Sequence, residues 1–143
     1  MYEGMKATLV TPQTAAGTSD VNSSAVDMAD YDGVIFIAVV GAIVSGGVTY
    51  VKGQQGQVSD SSDMADLASS KQSFADTNDD GIIILDIYRP QERYVRAVFS
   101  RATQNSTIGA VIALQYGPKK KPVTQDTTVR QSKTLASPAE GTA

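Results

Sequence analysis

The stretch Val34-Ile-Phe-Ile-Ala-Val-Val40 decides how this chain folds. It is an unbroken run of β-branched and aromatic residues, with only Ala38 interrupting, and such a run favours a pleated strand over a helix. A continuous apolar strand implies cover on both faces, so the run is expected to cross the middle of the fold. Upstream, Asp30-Tyr-Asp-Gly33 is turn chemistry, in which Asp-Gly supplies a positive φ. Downstream, Ser45-Gly-Gly47 turns the chain into a second strand, Val48-Thr-Tyr-Val-Lys52.

The same alternation of strand and turn continues in both directions. Lys6 to Val10 is a short strand stopped by Thr11-Pro12, and Gln13 to Ser24 is a polar loop. Ser24 to Met28 is a weak strand. Gly53 to Ser62 is polar and expected to be exposed, and Asp63 to Ala68 is expected to form a helical turn or two capped by Ser62. Ser70 to Phe74 extends again. Asp76-Thr-Asn-Asp-Asp-Gly81 opens onto Ile82-Ile-Ile-Leu-Asp-Ile-Tyr88, and Arg89 to Glu92 connects to Tyr94–Arg101. In that strand Val95, Ala97 and Phe99 share one face. Gln104 to Ser106 turns the chain into Thr107–Tyr116, which Gly117-Pro118 closes. About six to eight short strands with turn signals between them and almost no helical period describe an all-β sandwich or jelly roll.

Composition agrees. Charged residues are 19% of the 143, and Ser, Thr, Ala, Gly and Val take their place, a turn-rich and strand-rich usage. There is no cysteine, hence no disulfide framework and no thiolate nucleophile or ligand. There is no histidine, which removes the commonest general base and metal ligand and every Ser-His triad. The first residues, Met1 to Thr11, carry Lys6 but no long apolar core, so no signal peptide is expected. The most apolar stretch, Val34 to Val44, is far shorter than the ~20 residues of a membrane helix, so no membrane association is expected.

The net charge of −3 is unevenly placed. Residues 1–116 carry seven Lys and Arg against thirteen Asp and Glu, and residues 117–143 carry five against two. An acidic body does not offer the basic face of a nucleic-acid-binding domain. The expected organisation is a β-sandwich over residues 1–118 followed by an extended or disordered basic arm over residues 119–143, rich in Thr, Ser, Gln and Ala and poor in apolar anchors.

The motifs that resemble chemistry are incomplete. Asp76-x-Asn78-x-Asp80-Gly81 matches the first half of a calcium loop, but Ile87 stands where a bidentate Glu belongs and a strand stands where a helix belongs. A hairpin turn is the preferred reading, and no metal or other cofactor is expected. The pairs Asp30/Asp32 and Asp60/Asp63 have no nucleophile or oxyanion-stabilising group near them in sequence, so turn formation is preferred to acid–base work, and no catalytic residue is assigned. Gly41, Gly46 and Gly47 lack phosphate-loop spacing. Arg89, Arg93, Arg96 and Arg101, with Lys119, Lys120 and Lys121, are candidates for contacts across a subunit interface, where Arg is enriched; for the arginines, pairing with the acidic body is the competing role.

Arg93-Tyr-Val-Arg-Ala-Val-Phe99, a polar hairpin, then Ile108 to Leu114 and Gly117-Pro118, with Tyr31-Asp32 ahead of Val34, resemble a recurrent pattern in small β-sandwich virion proteins of tailed phages. The resemblance covers roughly Met5 to Pro122, and the arm lies outside it. It implies a capsid decoration, or cement, protein, made in the host cytoplasm and carried on the phage head. Its partners would be the major capsid protein or other virion subunits, and the protein would form a homo-oligomer, with a trimer at local three-fold positions expected. The competing readings are a head–tail connector or tail component and a calcium- or carbohydrate-binding β-sandwich module; the low aromatic content, 6%, argues against a carbohydrate site.

Overall fold

The structure, a computed structural model, describes residues 4–137 and 139–142. Two antiparallel sheets pack face to face as a β-sandwich. The strands are β1 (Met5–Thr11), β2 (Val21–Asn22), β3 (Val26–Asp27), β4 (Gly33–Ile43), β5 (Val48–Gly56), β6 (Ala65–Asp66), β7 (Gln72–Phe74), β8 (Gly81–Tyr88), β9 (Tyr94–Ala102) and β10 (Ser106–Tyr116). One sheet has the order β1-β10-β4-β8. The other runs β2-β9-β5-β6, with β3 also on β9 and β7 also on β5. After Tyr116 the described residues contain no helix or strand.

The core lies between the sheets. Val34, Phe36 and Ala38 of β4 pack in one cluster with Val51 of β5 and Val95, Ala97 and Phe99 of β9, and Val111 and Ala113 of β10 complete the layer; Val40 is also buried. Val95, Ala97 and Phe99 thus share the inward face that their alternation foretold. The expectation for β4 needs correction. The strand is central in its sheet, but it is buried on one face only. Ile35 and Ile37 are half-buried and Val39 is exposed on the other side. An apolar run reads as doubly covered only if something lies on its second face, and the second sheet covers just one.

Local polar chemistry explains the other differences. Asp63–Ala68 forms no helical turn; it contains β6. The Asp63 carboxylate accepts hydrogen bonds from the amides of Gln57 and Val58 (2.7 and 3.2 Å), and Asp60 Oδ1 accepts the Ser62 amide, so both acids stabilise a turn that brings the chain back onto β5. Strand β5 continues into the segment expected to be exposed, and Gly53 and Gly56 are buried where Ile87 and Asp63 approach them. The Gln13–Ser24 loop contains β2, and Gly17 bridges to Ser106. Gly33 does not adopt a positive φ; it opens β4. In the turn before β5, Gly46 does, at φ 82°.

The start of the arm follows the body. The Lys119 amide donates to Asp30 O (2.9 Å). Further on, Gln125 Oε1 accepts from the Ala7 amide and its Nε2 donates to Met5 O, while Thr128 Oγ1 accepts from the Leu9 amide. These side chains satisfy backbone groups along the outer edge of β1. No helix among the described residues is long and apolar enough to cross a membrane.

Candidate functional site: an apolar sheet face ending in a charged cleft

Register carries apolar residues across the outer face of the β1-β10-β4-β8 sheet. Ile112 pairs with Leu9 on one side and Ile37 on the other, and Ile37 pairs with Ile84, so one row of four strands reads Leu9, Ile112, Ile37, Ile84. The next row holds Ala110, Val39 and Ile82, and the row on the opposite side holds Ala7, Leu114 and Ile35 and ends on β8 at Asp86. Ile82 is 64% exposed, Ile84 49%, Val39 45%, Leu9 41% and Ile112 38%. Single exposed apolar residues are ordinary on a protein surface; a contiguous face of them spanning every strand of a sheet is not.

The face ends at the row Met5, Tyr116, Gly33, Tyr88. Gly33 has no side chain, and the two tyrosine rings close over it, nearly parallel with centroids 6.5 Å apart. A Cβ on Gly33 would overlap the Tyr116 hydroxyl. Tyr116 Oη donates to Asp86 Oδ1 at 2.8 Å. Burial and this hydrogen bond push the Tyr116 phenol up to about 12.

Past that row the surface turns polar. A cleft of about 480 Å³ is lined by Tyr31, Asp32, Arg89, Glu92, Arg93 and Lys119 among others. A second, of about 490 Å³, shares Ala29, Tyr31 and Arg93 and includes Lys6, Asp27 and Lys120. Both are open and hold charges of both signs. Arg93 pairs with Asp27 through two bonds, Nε to Oδ1 at 3.0 Å and Nη2 to Oδ2 at 2.7 Å, which holds the Asp27 carboxyl below its ordinary range. Arg89 lies over the Tyr88 ring, with Cζ 5.1 Å from its centroid. Lys119 Nζ donates to Ala29 O.

The basic residues singled out in the sequence therefore separate. Arg89, Arg93 and Lys119 gather at the first cleft and Lys120 at the second, while Lys121 lies beside Gly4. Arg96 is half-buried on β9, with Nε donating to Gln54 Oε1 at 2.8 Å. Arg101 has an internal role. It continues the inward parity of Val95, Ala97 and Phe99, is 7% exposed, and its guanidinium donates to the carbonyls of Ala15, Ser19 and Ser106. It clamps the loop before β2 to the hairpin between β9 and β10.

In the incomplete calcium loop, Asp76 Oδ2 accepts the Gly46 amide and Asn78 Oδ1 the Ala75 amide, so two of its three oxygen-bearing side chains are spent on turn amides; Asp80 stands at φ 52°. Among the described residues no group of three or more acidic, histidine or cysteine side chains is placed to hold a metal ion. Asp30 O accepts the Lys119 amide, and the Asp32 carbonyl and amide bond Arg89 and Tyr116, so this acidic pair braces the exits of β8 and β10.

Of the basic residues singled out in the sequence, Arg89, Arg93, Lys119 and Lys120 line the clefts, whereas no residue of the apolar face was singled out. The signal was present in the alternation of three strands: once β4 is covered on one side only, Ile35, Ile37 and Val39 must look outward, and antiparallel register brings the outward residues of β8 and β10 beside them. No protein-family model matches the chain, and a search of curated proteins gives no significant match.

Proposed function

We propose that this protein is a structural, subunit-binding protein that docks on a protein shell through the outer face of the β1-β10-β4-β8 sheet, in the manner of a phage capsid decoration protein. The row Leu9, Ile112, Ile37, Ile84 carries this reading. A face of exposed branched side chains on a rigid sheet supplies buried area and shape without chemistry, which is what a cementing contact between subunits requires. The charged cleft beyond Tyr88 and Tyr116 supplies a polar rim, and its Arg89 and Arg93 suit contacts with a neighbouring subunit. The identification of the shell as a phage head rests on the resemblance of the Arg93–Phe99 strand and its neighbours to virion β-sandwich proteins.

The test is mass spectrometry of purified phage particles from the lysate in which the chain is made, combined with re-binding of the purified protein to heads that lack it. The protein is expected in the copy number of the shell subunits, and Ile37→Lys is expected to abolish re-binding while the protein stays folded. Copy number matching a single vertex would instead identify a connector component. Absence from the particles would overturn the virion reading.

A further inference from the structure

The edge of the same sheet points to a second contact, independent of the virion reading. Strand β8 is its last strand and pairs only with β4. The Arg89 amide donates to Asp32 O at 2.8 Å, which fixes the phase of the ladder. In an antiparallel pair, alternate residues turn both backbone groups to one side. Gly81, Ile83, Leu85 and Ile87 therefore face β4, and the amides and carbonyls of Ile82, Ile84, Asp86 and Tyr88 face outward. Among the described residues these outward groups have no backbone partner.

Exposed edges are normally blunted by proline, lysine, short length or a covering segment. Here the opposite edge, β1, is covered by Gln125 and Thr128, and the second sheet ends in strands of two or three residues. Among the described residues, strand β8 has none of these devices. It is eight residues long, Gly-Ile-Ile-Ile-Leu-Asp-Ile-Tyr, without proline. Its one charge, Asp86, is drawn back over the sheet by Tyr116.

We propose that two copies of this chain pair antiparallel through β8 about a two-fold axis at Ile84, joining two four-stranded sheets into one of eight. The register follows from charge. Centred on Ile84, the outward backbone groups of Ile84 meet their own copies, and those of Ile82 meet Asp86 of the second copy. Beyond Gly81 and Tyr88 the chain leaves the strand, with Asp80 and Arg89 both in the left-handed region, and the same register brings the Asp79–Asp80 turn of one copy to the end of β8 from which Arg89 of the other departs. Each strand enters through exposed acids, Asp79 and Asp80, and leaves through Arg89, so reversal matches the acidic entry of one copy to the basic exit of the other. Centring on Asp86 would oppose two carboxylates, which is destabilising. The contact is isologous and closes on itself, favouring a two-fold pair over the three-fold grouping that the resemblance implies. The apolar row then runs across both copies and remains free for a shell.

The experiment is sedimentation equilibrium of the full chain, with Ile84→Pro, Arg89→Asp, and Arg89→Asp combined with Asp79→Arg. The native chain is expected to be a dimer. The Ile84 amide points away from β4, so proline there removes a pairing donor without breaking the ladder within the sheet, and a folded monomer is expected. Arg89→Asp is expected to weaken the dimer about tenfold, because the charge pair occurs twice, and the double variant to restore it. If Ile84→Pro fails to fold, the charge reversal and its rescue decide. A monomeric or trimeric native chain overturns the proposal. So does a dimer unaffected by both β8 changes and broken by Ile112→Lys, which lies on the face two strands from the edge.

Discussion

Tyr116 reaches over Gly33 to Asp86, so a phenol on β10 and a carboxylate on β8 are joined by a 2.8 Å hydrogen bond across the strand between them. The link exists because Gly33 offers no side chain. Gly33→Ala is expected to displace the Tyr116 ring and to cost about 1–3 kcal/mol in chemical denaturation, as overpacking does. Combined with Tyr116→Ala, the same change should cost much less than the sum of the two. Additive losses would show that the two residues do not share one space.

The same phenol predicts an alkaline signature. The folded pKa of Tyr116 is raised to about 12 from an ordinary value of 10.0, chiefly by burial and then by Asp86. A raised folded pKa means that the protonated form is favoured by folding. Its stabilisation is complete below about pH 10 and is lost as pH rises through about pH 12. Denaturation midpoints of the native protein should fall more steeply across that window than those of Tyr116→Phe. Parallel profiles would remove Tyr116 from the account.

Strand β4 separates burial from hydrophobicity. Phe36, 1% exposed, and Ile37, half-buried, are neighbours in sequence on opposite faces. Phe36→Ala is expected to lose about 3–5 kcal/mol, whereas Ile37→Ala should lose about 1 kcal/mol because its outer face is already in contact with water. Ile37→Ala should nonetheless weaken attachment to a shell. Equal losses at the two positions would mean that the outer face is covered in the free protein.

Arg101 is a stabilising residue. Arg101→Met keeps the length of the side chain but removes the guanidinium donors to the carbonyls of Ala15 and Ser19, and leaves Ser106 O with the Gly17 amide alone. Unfolding free energy is expected to fall by about 2–4 kcal/mol, from several lost charge-assisted bonds at a buried site. Arg93→Ala, by contrast, removes an exposed pair with Asp27 and should cost under about 1 kcal/mol. A reversed order, read from urea midpoints, would contradict these assignments.

These contrasts show what was legible in the chain. Strand positions followed from β-branched runs and turn residues, because both act locally: β4, β8, β9 and β10 lie where their apolar runs lie. Layering did not follow, because burial of a strand's second face depends on what packs there, which no local signal at Ile35 or Ile37 reports. The short strands β2, β3 and β6 escaped or were weak because two residues carry little propensity; they exist through long-range bonds such as Ser23 N to Ala97 O. Arg101 looked like its exposed neighbours in composition, and only the parity it shares with Val95, Ala97 and Phe99 marked it as inward. The arrangement around Gly33 was hidden behind a turn reading of Asp-Gly.

Lys119, Lys120 and Lys121 are candidates for contacts with a neighbouring subunit, and the contacts that reach this chain's own β1 edge come from uncharged side chains farther on. Gln125 bonds both the Ala7 amide and the Met5 carbonyl, and Thr128 accepts the Leu9 amide while its own hydroxyl donates to Asp126. The bonds Asp126 accepts from Thr128 hold its carboxyl below its ordinary range. The arm therefore does for β1 what nothing among the described residues does for β8: it occupies an edge that a foreign strand would otherwise pair with. Deleting residues 123–143 should speed hydrogen exchange at the Ala7 and Leu9 amides by about tenfold or more, as loss of a net bond of about 1–1.5 kcal/mol implies. Amides of β4 and β10 that face each other should be unaffected. Gln125→Ala with Thr128→Ala should reproduce the effect in the full chain, since only the two capping side chains have been removed. If exchange at Ala7 and Leu9 is as fast in the full chain as in the truncated one, the arm does not guard β1 in solution.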